Sequence, residues 1–181
     1  PSKINLDFPK ITLSTYCSLF LKFNIENYIS AIALISKHIS LTNLNALNNT
    51  SIKLPQGRGE LLKLKQGKIL IDFAHDHLSF FNILSELANS YNEIIVVFGC
   101  GGDRDKSKRP KMGKIASEYS DFVFFTSDNP RNENENDIIS DIINGVVDDN
   151  YQIEIDRKIA IKMAFQKFKT NSIILVAGKG H

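Results

Sequence analysis

The sequence predicts an α/β fold with a mostly parallel sheet. Short runs rich in β-branched and aromatic residues recur along the chain, segments with helical spacing lie between them, and the runs end in loops of glycine, proline and charged residues. Strands alternating with helices are the pattern of a parallel sheet covered by helices. Runs that are apolar without alternation suit strands buried on both faces.

The elements are expected in the following order. Residues 1–56 are mixed: a strand over 11–16, then a helix over 24–38. That helix carries Ile25, Tyr28, Ile29, Ala31, Ile32, Leu34 and Ile35 on a broad apolar face. Ser40 or Thr42 would cap a second helix. The stretch 48–57 is polar, contains Pro55 and is the expected boundary. Beyond it the spacing predicts strands over 68–73, 93–98, 122–126, 151–155 and 172–177, and helices over 77–90, 110–119, 136–147 and 158–168. Pro110 falls in a first helical turn, where its missing N–H costs nothing. The acidic stretch 132–137 is expected as a solvated approach to a helix.

The bulk numbers bound the possibilities. The 181 residues suffice for one domain plus part of another. Hydrophobic residues at 43% and charged residues at 23% are ordinary for a globular chain and exclude a disordered one. A net charge of +2 points to neither nucleic acid nor a membrane surface as partner. Cys17 and Cys100 are too few for a disulfide framework and fit a reducing compartment. There is no apolar run of membrane-span length and no signal-peptide core at the start, so a cytoplasmic location is expected. The first residue is not Met and the last residues run straight off an expected strand, so the chain is expected to be a fragment.

In open parallel sheets ligands bind beyond the carboxyl ends of the strands, which directs attention to the strand-ending loops. The first is GCGGDRDKSKRP at 99–110. Its glycines let backbone approach a ligand, and Arg104, Lys106, Lys108 and Arg109 favour an anion, whereas the plain alternative is a flexible charged turn. It lacks the G-x-G-x-x-G dinucleotide spacing. The second is Ser127-Asp128-Asn129-Pro130-Arg131. Asp and Asn before Pro make a turn by themselves, yet an acid, an amide and a guanidinium on one loop also suit a zwitterion. The third is Asp72, an acid in an apolar strand that is expensive unless paired or functional, with His75 just beyond. The fourth, Arg58 between Gly57 and Gly59, reaches a phosphate or is a linker turn. The fifth pairs Asn24 and Asn27, one helical turn apart, with Asn24 also readable as a helix cap.

Taken together, the strings FNIEN (23–27), GRGE (57–60), IDFAH (71–75), VFGCGGDRDKSKRPKMGKIA (97–116), SDNPR (127–131) and VAGKGH (176–181) resemble the Mur ligase family. The resemblance is to its branch that joins an amino acid to UDP-N-acetylmuramoyl-L-alanyl-D-glutamate, and it runs from about residue 20 to the end. It implies a three-domain ligase of peptidoglycan precursor synthesis, using ATP and Mg²⁺ through an acyl-phosphate intermediate. Residues 1–56 would be the C-terminal end of the central ATPase domain, and 57–181 the Rossmann-like C-terminal domain that binds the amino acid. By the same resemblance Asn24, Asn27, Arg58, Asp72 and His75 meet the nucleotide, and Arg104, Asp128, Asn129, Arg131 and Gly178 hold the incoming amino acid. The DNPR form is similar to the meso-diaminopimelate-adding type, with Arg131 on the far carboxylate that lysine lacks. The implied partners are meso-diaminopimelate and the UDP-MurNAc-dipeptide, with no nucleic acid or membrane, and the protein is expected to be a monomer. No catalytic residue and no metal ligand is assigned within this portion.

Two departures qualify the resemblance. The family continues the AH of IDFAH with Thr-Pro-Asp, where this chain has Asp76-His77-Leu78. There is also no G-x-x-x-x-G-K-[ST] loop, so the portion alone is not expected to catalyse ligation. That absence leaves a non-enzymatic Rossmann-like module binding an amino acid or nucleotide as the alternative. A folylpolyglutamate or cyanophycin synthetase is a third idea, against which the long glycine-loop string speaks.

Overall fold

The computed structural model describes residues 2–8, 11–17, 21–47, 51–52 and 54–179. The chain forms two compact units, Pro1–Pro55 and Gln56–His181.

In the first unit, strands β1 (Ser2–Phe8) and β2 (Ile11–Cys17) pair antiparallel, and β3 (Ser51–Ile52) joins β2 in parallel. The helices are α1 (Lys22–Ile35) and α2 (Leu41–Asn45). Leu13, Ile32 and Leu44 form the core of the unit. Ser40 caps α2 by accepting from the Asn43 N–H, as its sequence position suggested. Asn24 is not a cap. Leu21 stands at the N-cap of α1 with no side-chain cap bond, and Asn24 lies inside the first turn. Strands β1 and β3 were not expected from the sequence.

The second unit holds β4 (Glu60–Lys63), β5 (Gly67–Asp72), α3 (His77–Ala88), β6 (Glu93–Phe98), α4 (Lys108–Tyr119), β7 (Phe122–Phe125), α5 (Glu135–Ile143), β8 (Tyr151–Ile153), α6 (Arg157–Gln166) and β9 (Ser172–Ala177). They build a six-stranded sheet in the order β4-β5-β9-β6-β7-β8. Only the edge strand β4 runs antiparallel to its neighbour. The α/β expectation holds, with β4 added to it.

Strand β9 lies at the centre with all six residues buried, which is why SIILVA carries no alternation. One face of the sheet packs Ile69, Ile95, Val97, Phe124, Ile174 and Val176 with Ala160 and Ala164 of α6. Helix α3 buries Phe80, Ile83, Leu84 and Leu87, and the Phe80 ring meets Phe98 at 4.7 Å. Helices α4 and α5 approach closely, because a Cβ on Gly113 would lie 2.1 Å from the Ile142 carbonyl oxygen. Among the described residues no helix is long and apolar enough to cross a membrane.

The register matters most for the site. Asp72 pairs with Ala177, Ala177 with Phe98, and Phe98 with Phe125. The carboxyl ends of β5, β9, β6 and β7 therefore form one row, and the loops that follow all leave from the same edge.

Candidate functional site

A cavity of about 630 Å³ opens at this edge. The loop after β5 contributes Phe73 and His75 to its lining, and the loop after β6 with the start of α4 contributes Gly101, Arg104, Asp105 and Lys108. The loop after β7 contributes Asp128, Asn129 and Arg131, and the segment after β9 contributes Gly178 and Lys179. His75, Arg104, Asp128, Asn129, Arg131 and Gly178 were singled out in the sequence, and the structure brings them together. Arg104, Lys108, Arg131 and Lys179 face two acids, Asp105 and Asp128, a balance that attracts an acidic ligand.

Two of these loops are joined along their length. The Gly102 N–H donates to the Asn129 carbonyl at 2.8 Å, and Arg131 Nη1 donates to the Gly102 carbonyl. Asn132 Nδ2 donates to the Asp103 carboxylate at 2.8 Å, and the Asp103 N–H donates to Glu133 Oε1 at 2.5 Å. Position 102 has to be glycine, because a Cβ there would sit 1.9 Å from the Pro130 carbonyl oxygen. Lys108 Nζ ties in the first loop by donating to the His75 carbonyl.

Arg109 fastens the junction. It is fully buried and meets Glu133 through two parallel bonds, Nη1–Oε2 at 2.9 Å and Nη2–Oε1 at 2.8 Å. Nη1 also donates to Asp141 Oδ2 at 2.8 Å, and Nη2 to the Gly101 carbonyl at 3.2 Å. Arg109, then Lys106 and the Asp103 N–H, hold the Glu133 carboxyl well below the usual carboxylate range. One sequence expectation is corrected here. Lys106 and Arg109 were grouped with the anion-binding charges, but Lys106 pairs with Glu133 at 2.9 Å and Arg109 is spent on its acids. The stretch 132–137, expected as a solvated approach to a helix, is exposed at Asn132, Asn134, Asn136 and Asp137, while Glu133 is engaged with Arg109 and Glu135 accepts from the Ser127 hydroxyl.

The segment after β9 is shaped by Gly178 at φ +92°, where a Cβ would lie 3.0 Å from the Gly99 carbonyl oxygen and 3.7 Å from Asp128 Oδ2. Beside it stands Arg157, the first residue of α6, whose Nη2 donates to the Ala177 carbonyl at 2.7 Å. The sequence reading passed over Arg157. The signal was an arginine at a helix start, where the positive end of the helix makes a cation unfavourable. Gly180 and His181 of the VAGKGH string lie outside the described residues.

Of the other expected site residues in this unit, Asp72 and Arg58 do not line the cavity. Asp72 is buried, and its carboxylate accepts from the Gly59 N–H at 2.7 Å and the Ala74 N–H at 2.8 Å, so it joins β5 to the loop before β4. Burial pushes its carboxyl up, against the opposing pull of those two N–H groups and of Arg58. Arg58 lies over the Phe73 ring, 4.3 Å from its centroid, and Phe73 in turn meets the His75 ring at 5.1 Å. Asn24 and Asn27 belong to the first unit. Asn24 Nδ2 is buried without a partner among the described residues, and Asn27 is exposed. Asp76, one of the departures from the AHTPD pattern, caps α3 by accepting from the Leu78 and Ser79 N–H groups at 3.0 Å each. Cys100 is buried beside Met112, and burial pushes its thiol up to about 11. Among the described residues no group of His, Cys, Asp and Glu side chains fits a metal ion.

Comparison with known proteins finds a family model, "Mur ligase, glutamate ligase domain", matching residues 57–180. The chain is 49% identical over 129 residues to a UDP-N-acetylmuramoyl-L-alanyl-D-glutamate--2,6-diaminopimelate ligase of Clostridium perfringens, covering 69% of this chain and 27% of that protein. It is 42% identical over 169 residues to the ligase of the same name from Fusobacterium nucleatum, covering 91% of this chain and 35% of that one. A solved structure of a ligase of that name superposes with a TM-score of 0.68 at 31% identity, over 99% of this chain and 37% of the other. The chain thus spans about a third of the length of the curated relatives it matches.

Proposed function

The chain belongs to the Mur ligase family, and on that premise we propose that it is the amino-acid-selecting part of an ATP-dependent ligase that adds meso-diaminopimelate to UDP-MurNAc-L-Ala-D-Glu. The observation that carries the reading is that two guanidiniums, Arg104 and Arg131, line one cavity with the Asp128 carboxylate and the Asn129 amide. The ligand to match is a zwitterion with a second carboxylate. At about 630 Å³ the cavity falls within the range of small-molecule sites, roughly 300–1,000 Å³.

In this reading Arg104 and Arg131 hold the carboxylates of the amino acid, and Asp128 and Asn129 hold an ammonium. The other amino group then points toward the acceptor. Lysine lacks the far carboxylate and leaves a guanidinium unpaired, which disfavours it. ATP, when bound, supplies the phosphoryl group that activates the acceptor carboxylate. Asn24 fits a nucleotide, because its buried Nδ2 has no partner among the described residues. We assign Asn27, Arg58, Asp72 and His75 to the nucleotide side on the family resemblance alone. Among the described residues no group of three or more His, Cys, Asp and Glu side chains could hold a metal ion, and Mg²⁺ is implied by the family resemblance alone. We further propose that residues 1–56 are the end of the central ATPase domain and 57–181 the amino-acid-binding domain, and that the protein works in the cytoplasm as a monomer on small-molecule substrates.

The test is titration calorimetry of the chain with meso-diaminopimelate and with L-lysine. The expected result is a clear preference for meso-diaminopimelate that disappears in Arg131→Ala. Equal affinity for both, or a preference that survives Arg131→Ala, would refute the assignment.

A further inference from the structure

Arg157 makes little sense as a stabilising residue. It opens α6, whose N-terminal N–H groups are already capped by Asp156 at 2.8 and 3.1 Å, and a cation at that end opposes the helix dipole. Its Nη1 is buried without a hydrogen-bond partner among the described residues, an arrangement that costs free energy. Burial lowers the proton affinity of its guanidinium, and Asp128 is the charge that opposes this. Its one hydrogen bond among the described residues goes to the carbonyl of Ala177, the last residue of the central strand. The next residue, Gly178, lines the cavity in a left-handed turn beside Asp128 Oδ2. Arg157 itself does not line the cavity; it stands behind the wall, hydrogen-bonded to the residue before Gly178 and within electrostatic reach of Asp128.

We infer that Arg157 is a positioning residue for this cavity, which pins the Ala177–Gly178 turn and, through its buried charge, orients the Asp128 carboxylate toward the ligand. Asp128 is then shared between a fixed cation behind it and a mobile one, the ammonium of an amino acid, in front. The fork of the guanidinium matters for the turn, whereas the charge alone matters for Asp128. The second half of this inference rests on the reading that Asp128 receives an ammonium group; the first half does not.

The experiment compares the chain with Arg157→Met, Arg157→Lys, Asp128→Asn and the Arg157→Met/Asp128→Asn pair. In the unliganded protein, NMR reads the Gly178 amide and the Asp128 side-chain carboxyl carbon. Both resonances are expected to move in Arg157→Met. In Arg157→Lys the Gly178 amide moves while the carboxyl signal stays near its original position. Calorimetry with meso-diaminopimelate is expected to show about a tenfold loss in Arg157→Met, the size of one charge-assisted hydrogen bond. The double variant is expected to bind more weakly than Asp128→Asn alone by less than the full Arg157→Met loss, because the Asp128 share of that loss is already gone while the Gly178 share remains. Unmoved Gly178 and Asp128 resonances in Arg157→Met, or losses that simply add in the double variant, would overturn the inference. Should Arg157→Met not fold, an unmoved Gly178 amide in Arg157→Lys overturns it equally. If the unsubstituted chain fails to bind meso-diaminopimelate, the substrate reading falls while the resonance shifts still decide the role of Arg157.

Discussion

Arg109 and Glu133 stand 24 residues apart in the chain, yet they meet through two parallel hydrogen bonds of 2.9 and 2.8 Å. That pair joins the start of α4 to the loop that carries Arg131, and through the Gly101 carbonyl it also holds the glycine loop. The two walls of the cavity therefore depend on a guanidinium that never faces it.

Replacing Arg109 with Met removes the shared partner of Glu133 and Asp141. The loss is expected to be about 3 kcal/mol, as for breaking a buried pair from one side. Urea denaturation checks it, and a change under about 1 kcal/mol would show that the two acids are satisfied by water instead.

Acidification is expected to loosen the same junction. The Glu133 carboxyl lies below its ordinary value of 4.5, chiefly through Arg109, so the folded state binds its proton less readily than the unfolded one. The stability it contributes is present above about pH 4.5 and is lost as the pH falls further. Asp76 acts in the same direction: burial raises its carboxyl, but the Ser79 and Leu78 hydrogen bonds outweigh burial and leave it below 3.8. Asp72, raised above 3.8 by burial, acts in the opposite direction. Thermal midpoints between pH 7 and 3 should fall less steeply in Glu133→Gln, and identical slopes would remove Glu133 from the account.

Gly102→Ala should disturb the site more than the fold. The new Cβ meets the Pro130 carbonyl oxygen at 1.9 Å, so the two loops must part. Overpacking of this kind costs about 1–3 kcal/mol. A variant with unchanged stability and unchanged ligand affinity would contradict the close approach.

Cys100 should resist alkylation while the chain is folded. With its thiol pushed up to about 11, only about a thousandth is thiolate at pH 8, and the sulfur is buried as well. Mass spectrometry of the Cys100 peptide after iodoacetamide, with and without urea, measures the protection; equal labelling rates would refute it.

The strands at the centre of the sheet were legible because burial on both faces leaves an unbroken apolar run; 93–98 and 172–177 were read to the residue. Strand β4 was missed because it has four residues, half of them exposed, and pairs on one side only. The loops around the cavity were legible from the rule that ligands sit beyond strand ends, together with their glycines and charges. What no local pattern separates is Arg104 from Arg109. Both belong to one charged run, and their fates differ because Glu133 and Asp141, 24 and 32 residues further along, claim the second. Asp72 shows the same limit: its cost inside an apolar strand was visible, but one of its two partners, the Gly59 N–H, comes from 13 residues earlier.

Strand β9 is the last strand among the described residues and also the one between β5 and β6. Strands β5 and β6 have no pairing with each other, so a growing chain cannot close this sheet on the ribosome until residues 172–177 have emerged. Until then, the facing edges of β5 and β6 are open to pairing with other chains. Contacts so distant in sequence also make for slow folding. The sheet is thus most exposed to aggregation in the interval before this strand has emerged and paired.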